Sequence, residues 1–193
     1  MEIYLLRHGT TIQPGTYTGT SDVELSAGGK HQILSLAPRL KLIHFDACFC
    51  SPLKRCRQTL DLLDIIAECN FAESLREIDF GLWEGLSFKQ IQDRYPDQLD
   101  SWAREGDDFR FPEGERIKTF NSRFIDWFDK LLTTDFNRVL IVAHGGVVRT
   151  GICHLVGIDS TKAFAFNPKE GRVAKISVED GFGQLEYFNC ADW

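Results

Sequence analysis

The sequence has no long apolar segment and no recognisable cysteine framework. No run approaches the roughly 18 apolar residues that a membrane-spanning helix needs, so we expect no contact with a membrane. The cysteines show no paired CxxC spacing, and no secretory segment precedes them. This pattern is typical of reduced, mostly buried thiols and predicts a cytoplasmic protein. The six cysteines are Cys48, Cys50, Cys56, Cys69, Cys153 and Cys190.

Positive charge is also scarce. Lys and Arg total 22 against 28 Asp and Glu, which gives a formal net charge of −6 and a sequence pI near 5.4. The chain therefore lacks the broad electrostatic footprint of a nucleic-acid-binding protein, and we expect no nucleic-acid partner. Any anion-binding site has to be local.

Several familiar catalytic signatures are missing. There is no G-x-S-x-G nucleophile elbow, and the run Gly28-Gly29-Lys30-His31 lacks the earlier glycine and the final Ser or Thr of a P-loop. The five histidines form no HxH or HExxH pair, which argues against a zinc site. We therefore expect neither a metal nor a cofactor.

The chain alternates between two kinds of apolar pattern. Short continuous runs typical of buried strands are followed by segments whose apolar residues repeat at helical spacing. Such alternation predicts an α/β fold, a three-layer α/β/α sandwich around a mostly parallel sheet. With 193 residues and 43% hydrophobic content, residues 1–193 are expected to form a single domain.

Capping residues and periodicity place the individual elements. Ser26 is expected to cap the first helix, and Ser51, followed by Pro52, to cap the second. Helices are predicted at about 27–42, 53–67, 88–95, 97–104, 115–133 and 145–156. Strands are predicted at about 3–6, 45–50, 138–143, 173–178 and 185–188, with a short strand-like piece after residue 70.

Two of these strands end in a histidine followed by glycine. Ile3 to Leu6 leads into Arg7-His8-Gly9, and the strand at 138–143 leads into His144-Gly145-Gly146. Open α/β sheets usually bind ligands at the carboxyl ends of their strands, where a glycine also allows a close backbone turn. These two strand ends are therefore the predicted functional site.

Four motifs occur in a fixed order along the whole chain: LLRHGTT, SPLKRCRQT, LREIDFGLWEG and VAHGG. Together they resemble the histidine phosphatase superfamily, also called the phosphoglycerate mutase-like family. The resemblance implies a phosphoglycerate mutase-like fold and a phosphomonoesterase that works through a phosphohistidine. It also implies a small-molecule phosphate ester as substrate.

The resemblance assigns a role to each motif. His8 is implied as the nucleophile, and Arg7, Arg55 and His144 as the groups that hold the phosphoryl oxygens. In SPLKRCRQT the family pattern selects Arg55 over Arg57. Two nearby guanidiniums should lower the pKa of His8 and keep its imidazole neutral, as a nucleophile requires.

The acid that protonates the leaving oxygen is implied to be Glu77, with Glu84 of the WEG run as its rival. Further predicted substrate contacts are Gly145, Thr11 and Thr18. A structural alternative stays open for these three, because glycines after a strand also serve close packing and loop threonines often bind their own backbone.

The short length, the WEG run and the Phe-Pro-Glu-Gly-Glu stretch at 111–115 look most like the α-ribazole phosphatases of cobalamin synthesis. α-Ribazole 5′-phosphate is therefore the expected substrate. A phosphoglycerate mutase or another sugar-phosphate phosphatase of the same superfamily is the first alternative, and a non-catalytic phospho-ligand binding module is the second. A homodimer also stays an open alternative.

Overall fold

A computed structural model describes residues 1–192, and Trp193, the last residue of the predicted domain, lies outside the described residues. The strands are β1 Glu2–Arg7, β2 Ala47–Cys50, β3 Cys69–Phe71, β4 Arg138–Ala143, β5 Val173–Glu179 and β6 Phe182–Cys190. The helices are α1 Ala27–Leu40, α2 Lys54–Leu63, α3 Phe88–Arg94, α4 Pro96–Glu105, α5 Ile117–Leu132 and α6 Gly145–Val156. The strands form one sheet in the order β3-β2-β4-β1-β5-β6.

Helices cover both faces of this sheet. On β1, Ile3 and Leu5 pack into a core formed with α5 and α6, whereas Tyr4 and Leu6 pack into a second core formed with α1 and α2. The alternation follows from the period of two in a strand, which sends successive side chains to opposite faces. The predicted three-layer α/β/α sandwich is confirmed. β1 to β4 pair in parallel, and β5 and β6 add an antiparallel edge.

The pairing of β1 with β4 brings the two site histidines together. The strands are parallel and in register, with Arg7 opposite Ala143, and the backbone N–H of His8 donates to the carbonyl of Ala143 at 3.0 Å. Since both strands end at the same edge, His8 and His144 follow them side by side. Their ring centroids lie 5.2 Å apart.

The predicted caps are right in one case and wrong in the other. Ser26 caps α1, because its Oγ accepts a hydrogen bond from the N–H of Gly29 at 3.0 Å. Ser51 does not cap α2, which begins three residues later at Lys54 after Leu53. Its Oγ binds Nε2 of His144 at 2.7 Å and accepts from the N–H of Leu53 at 3.4 Å, in the turn that precedes the helix.

Other boundaries shift by a few residues. α1 stops at Leu40 rather than 42, and α2 stops at Leu63 rather than 67, because Asp64 takes the left-handed conformation with φ of 47°. The two short helices predicted at 88–95 and 97–104 are present as α3 and α4, and Pro96 is the first residue of α4, where proline is well accommodated. Within residues 1–192, no helix combines the length and apolarity needed to span a membrane.

Candidate active site

His8 is held as a neutral ring with one nitrogen free. Its side chain is buried, and its Nδ1 lies 2.8 Å from the carbonyl oxygen of Gly9. A carbonyl only accepts, so Nδ1 carries the proton and Nε2 keeps its lone pair. Burial lowers the pKa of His8 well below its usual value, and the charges of Arg55 and Arg7 lower it further. The direction is the one expected from the sequence, although burial is the largest cause.

Arg55 is the central cation of the site and is fully buried. Its Nε donates to Nδ1 of His144 at 3.0 Å. Its terminal nitrogens donate to the carbonyls of Ser21 at 2.9 Å, Gly19 at 2.7 Å and Thr18 at 3.3 Å. The acceptors are neutral, so the positive charge of Arg55 remains available to a bound anion.

His144 is oriented by two hydrogen bonds. Because its Nδ1 accepts from Arg55, its Nε2 carries the proton and donates to the Oγ of Ser51 at 2.7 Å. Burial lowers its pKa well below the usual value, and so do Arg55 and His8. Both ring nitrogens are thus occupied within the protein. Direct contact between His144 and phosphate stays a prediction, and the geometry shows it holding Arg55.

Arg7 reaches the site from the end of β1. Its terminal nitrogens bind the carbonyl of Pro168 at 2.8 Å and the carboxylate of Glu170 at 3.3 Å, while its buried Nε has no hydrogen-bond partner. A Cβ at Gly145 would lie 3.4 Å from the guanidinium carbon of Arg7. The guanidinium of Arg7 therefore lies against the start of α6, with its unpaired Nε beside Gly145.

Glu77 faces the same helix start. It is buried, and its carboxylate accepts hydrogen bonds from the backbone N–H of Gly146 at 2.9 Å and of Ile78 at 3.1 Å. Its side chain also lines a cavity, so an acidic group faces any ligand bound there. Asp79, by contrast, accepts from the N–H of Gly81 at 2.9 Å, as a turn cap does.

Glu84, the rival acid, is used to hold a loop. Its carboxylate accepts hydrogen bonds from the backbone N–H of Gly19 at 3.0 Å, Thr20 at 3.0 Å, Ser21 at 3.2 Å and Phe80 at 3.2 Å. It is not among the residues that line the cavity. Its geometry is that of a residue that positions the loop.

The two predicted threonines differ in position. Thr18 lines the cavity and shares a hydrogen bond with Thr16 at 2.9 Å. Thr11 is buried, and its Oγ accepts from the N–H of Gln13 at 3.3 Å. Thr11 therefore binds its own backbone segment, as the structural alternative expects. Thr18 lies where its side chain could contact a substrate.

A cavity of about 260 Å³ opens beside Arg7, Glu77 and Gly145. His8, Arg55 and His144 are not among the residues that line it. Among residues 1–192, no three His, Cys, Asp or Glu side chains are grouped as a metal site would require. The cavity is lined with aromatic side chains from separate parts of the chain: Tyr17, Phe80, Trp102, Phe111, Phe120 and Phe164.

Sequence reasoning missed three contributors to this site. Ser51 binds His144, and the Oγ of Thr59 accepts the backbone N–H of Gly9 at 3.1 Å. Both lie within SPLKRCRQT, so the motif itself was the available signal. Arg149 lines the cavity one helical turn after Gly145. That spacing was a usable signal, since residues four apart share one face of a helix.

Comparison with known proteins agrees with this geometry. The family model described as the histidine phosphatase superfamily (branch 1) matches residues 3–191. The chain belongs to the histidine phosphatase superfamily. Its relatives include enzymes named phosphatases, so its class, a phosphatase of the histidine type, is confirmed.

Three relatives illustrate the range of similarity. Phosphoserine phosphatase 1 of Hydrogenobacter thermophilus is 29% identical over 189 residues, covering 93% of this chain and 88% of that protein. The adenosylcobalamin/α-ribazole phosphatase of Escherichia coli K12 is 26% identical, covering 98% and 96%. The crystal structure of the α-ribazole phosphatase from Shigella flexneri superimposes with a TM-score of 0.90 at 26% identity, covering 99% and 97%. The predicted phosphoglycerate mutase-like fold is thereby confirmed.

The lowered histidine pKa values predict a stability that falls with acid. The unfolded chain binds protons at His8 and His144 near pH 6.5, whereas the folded chain does so only at lower pH, so acid favours the unfolded state. Between pH 7 and 5, the free energy of unfolding should fall by up to about 1.4 kcal/mol per pH unit for each histidine. Urea unfolding at several pH values measures this slope. In His8→Asn the slope should be smaller, and an unchanged slope would contradict the assignment.

The contacts of Glu77 and Glu84 predict that substitutions of the two residues slow turnover with different dependence on the leaving group of the ester. If Glu77 donates the proton, Glu77→Gln should slow an alkyl phosphate by roughly 10²–10⁴, because an alkoxide leaves poorly without a proton. p-Nitrophenyl phosphate, whose phenolate leaves unaided, should be slowed much less. Steady-state kinetics on both esters measures the difference.

Glu84→Gln serves as the matched control. It should slow both esters by the same factor and lower the free energy of unfolding by about 1–3 kcal/mol, because one of the two acceptor oxygens becomes an NH2 group that cannot accept from the backbone N–H groups. A leaving-group-dependent loss in Glu84→Gln, or an equal loss on both esters in Glu77→Gln, would overturn the two roles.

Proposed function

We propose that this enzyme hydrolyses a small-molecule phosphate monoester through a phosphohistidine at His8. Nε2 of His8 attacks phosphorus while the ester oxygen departs with a proton from Glu77. Water then transfers a proton to the Glu77 carboxylate as its oxygen attacks phosphorus. Cleavage of the P–N bond releases phosphate and restores both the neutral ring of His8 and the protonated acid. Arg7 and Arg55 offset the charge on the phosphoryl oxygens in both steps, the main requirement of phosphoryl transfer. The unprotonated Nε2 and the two guanidiniums beside it support this mechanism.

The proposed substrate is α-ribazole 5′-phosphate. The observation that carries this proposal is the aromatic lining of the cavity next to Arg7 and Glu77, because ring walls favour a flat aromatic leaving group. Trp102 makes an edge-on contact with Tyr17 and a tilted contact with Phe111, and the buried ring of Trp83 packs edge-on against Phe111 from behind. The similarity to two named α-ribazole phosphatases agrees with it.

The mutase alternative requires a dry phosphohistidine that returns its phosphoryl group to the substrate. Members of the family with that activity generally carry a longer insertion in the region that corresponds to 86–115. In this chain, that region is short and forms α3, α4 and a 3₁₀ turn at Gly106–Asp108. Hydrolysis is therefore the preferred reaction. A cytoplasmic location, which the cysteine pattern supports, completes the proposal.

Loss of the nucleophile should abolish turnover. His8→Ala is expected to lower kcat by at least roughly 10³-fold, because the covalent route is closed, and to remove acid-labile labelling by a ³²P-labelled ester. Circular dichroism should show an intact fold, since His8, although buried, follows the strand and belongs to neither hydrophobic core. His31→Ala, on the exposed face of α1, is the control and should keep full activity. Wild-type activity should survive EDTA, and a loss restored by added metal would reject the metal-free mechanism.

The substrate assignment predicts an order of catalytic efficiency. The panel compares kcat/KM for phosphate release from α-ribazole 5′-phosphate, phosphoserine, 3-phosphoglycerate and fructose 2,6-bisphosphate. We expect the highest kcat/KM for α-ribazole 5′-phosphate. 3-Phosphoglycerate should not be isomerised efficiently, with or without a bisphosphate primer. Efficient primer-dependent isomerisation would favour the mutase, and preference for another ester would reject α-ribazole 5′-phosphate as the substrate.

A further inference from the structure

Arg123 extends from α5 to the segment that carries the proposed acid, Glu77. Its Nη1 donates to the carbonyls of Ser74 and Arg76, both at 2.8 Å. Its Nη2 donates to the carbonyl of Glu77 at 3.1 Å. A guanidinium presents its donors in a rigid, planar fork, so the acceptors it binds are held in fixed positions relative to one another. One side chain thus fixes three carbonyls of residues 74–77.

The guanidinium of Arg123 is itself held in place. Its Nε and Nη2 donate to the two carboxylate oxygens of Glu115 at 3.1 and 3.2 Å, a bidentate pair. Its central carbon lies 4.9 Å from the ring centroid of Phe120, which precedes it by one turn of α5. The backbone N–H of Glu115 also donates to the carbonyl of Asp79 at 2.9 Å. Arg123 and Glu115 together therefore form a clamp on residues 74–79.

The clamp borders a second cavity, of about 330 Å³, whose lining side chains are polar or charged. Glu77 lines both this cavity and the cavity of about 260 Å³ beside Arg7. The side chains of Leu75 and Ile78 pack into the hydrophobic core and anchor the segment at two points. Where the segment borders open space, hydrogen bonds from Arg123 fix its backbone instead of side-chain packing.

The peptide group between Glu77 and Ile78 connects the clamp to the carboxylate. Its carbonyl accepts from Arg123, and its N–H donates to Oε1 of Glu77 at 3.1 Å. A peptide group is planar, so a bond that fixes the direction of its carbonyl also fixes the direction of its N–H. The other carboxylate oxygen accepts from the N–H of Gly146 at 2.9 Å. Rotation of the peptide group would therefore remove one of the two donors that orient the carboxylate.

We propose that Arg123 is a positioning residue for Glu77, which acts by fixing the peptide group whose N–H orients the carboxylate. The proposal rests on the proposed role of Glu77 as the general acid. Arg123 is not among the residues that line the cavity beside Arg7, so its action on a substrate is indirect. A displacement of about 1 Å in a reacting group can cost roughly 10²-fold in rate. Loss of the clamp should therefore impair proton donation and leave phosphoryl binding unchanged.

The kinetic test compares an alkyl ester, glycerol 3-phosphate, with p-nitrophenyl phosphate. Arg123→Met keeps a long side chain beside Phe120 and removes every donor to the segment. It should lower kcat for glycerol 3-phosphate by roughly 10–100-fold, because the leaving alkoxide then meets a misplaced acid. p-Nitrophenyl phosphate should stay within about threefold of wild type, because its phenolate leaves without a proton.

The double variant Arg123→Met/Glu77→Gln tests whether the two residues act together. Its ratio of kcat for the two esters should equal that of Glu77→Gln alone, because no acid remains to be positioned. A residue with a purely structural role would slow both esters, and its effect would add to that of Glu77→Gln. Equal losses on both esters in Arg123→Met, or a further change of the ratio in the double variant, would overturn the proposal.

Two further variants complete the comparison. Arg138→Met removes an arginine that also binds a carboxylate, that of Glu2, and a backbone carbonyl, that of His44, but at the start of β4. It should change the kcat ratio of the two esters by less than about twofold, because distant sites act independently. Arg123→Lys keeps a cation beside Glu115 without the fork, so it should show the same dependence on the leaving group with a smaller loss. If Arg123→Met does not fold, Arg123→Lys decides the outcome by the same criteria.

Amide hydrogen exchange separates this proposal from the proposed function, because it needs no turnover. In Arg123→Met, the N–H of Ile78 should exchange at least roughly tenfold faster relative to the amides of β1 and β4. Faster exchange at Ile78, with no leaving-group dependence in Glu77→Gln, would support the positioning of Glu77 and reject its role as the acid. Unchanged relative exchange, with clear leaving-group dependence in Glu77→Gln, would overturn the role of Arg123 and leave the proposed function standing.

Discussion

The site depends on one buried guanidinium, that of Arg55. Its donors hold the ring of His144 on one side and three carbonyls of residues 18–21 on the other. The carboxylate of Glu84 binds the N–H groups of the same loop. The loop's peptide groups thus connect a cation to an anion without a direct ion pair. Arg55 is fixed in place yet keeps its charge, which is what a phosphate site needs, because charge cancelled by a contacting carboxylate would attract an anion less.

The strand pairing supplies the second constraint. β1 and β4 are neighbours in register, so any residues that follow Arg7 and Ala143 meet at one edge of the sheet. This is why the positions of His8, His144 and Arg7 were predictable from the sequence. Continuous apolar runs identified the strands, and parallel strands share the edge at which they end. The layers were predictable for a similar reason, since the apolar stripes of α5 and α6 require a sheet face to cover.

Other features depended on contacts that no local pattern encodes. Ser51 has the sequence pattern of a helix cap, but α2 begins only at Lys54. The Oγ of Ser51 accepts a hydrogen bond from Nε2 of His144. The cavity wall joins Tyr17, Trp102 and Phe164, which lie far apart in the chain and meet only through tertiary packing. Glu77 and Glu84 belong to one motif and differ only in what surrounds them. Their spacing in the sequence did not distinguish their roles, whereas their hydrogen-bond partners in the structure do.

A single placement of charge serves both halves of the proposed reaction. Before the reaction, burial and the nearby arginines disfavour the imidazolium form of His8, so the ring keeps its nucleophilic lone pair. Once the phosphoryl group is attached to His8, the same arginines face its negative oxygens. These oxygens offset the repulsion between the two guanidiniums. The free site therefore holds like charges close together at some cost in stability, and an anion that binds there removes that cost. Burial is the largest cause of the lowered pKa of His8, and the arginines add to it. A substitution at Arg7 or Arg55 should therefore change both the affinity for phosphate and the pKa of His8.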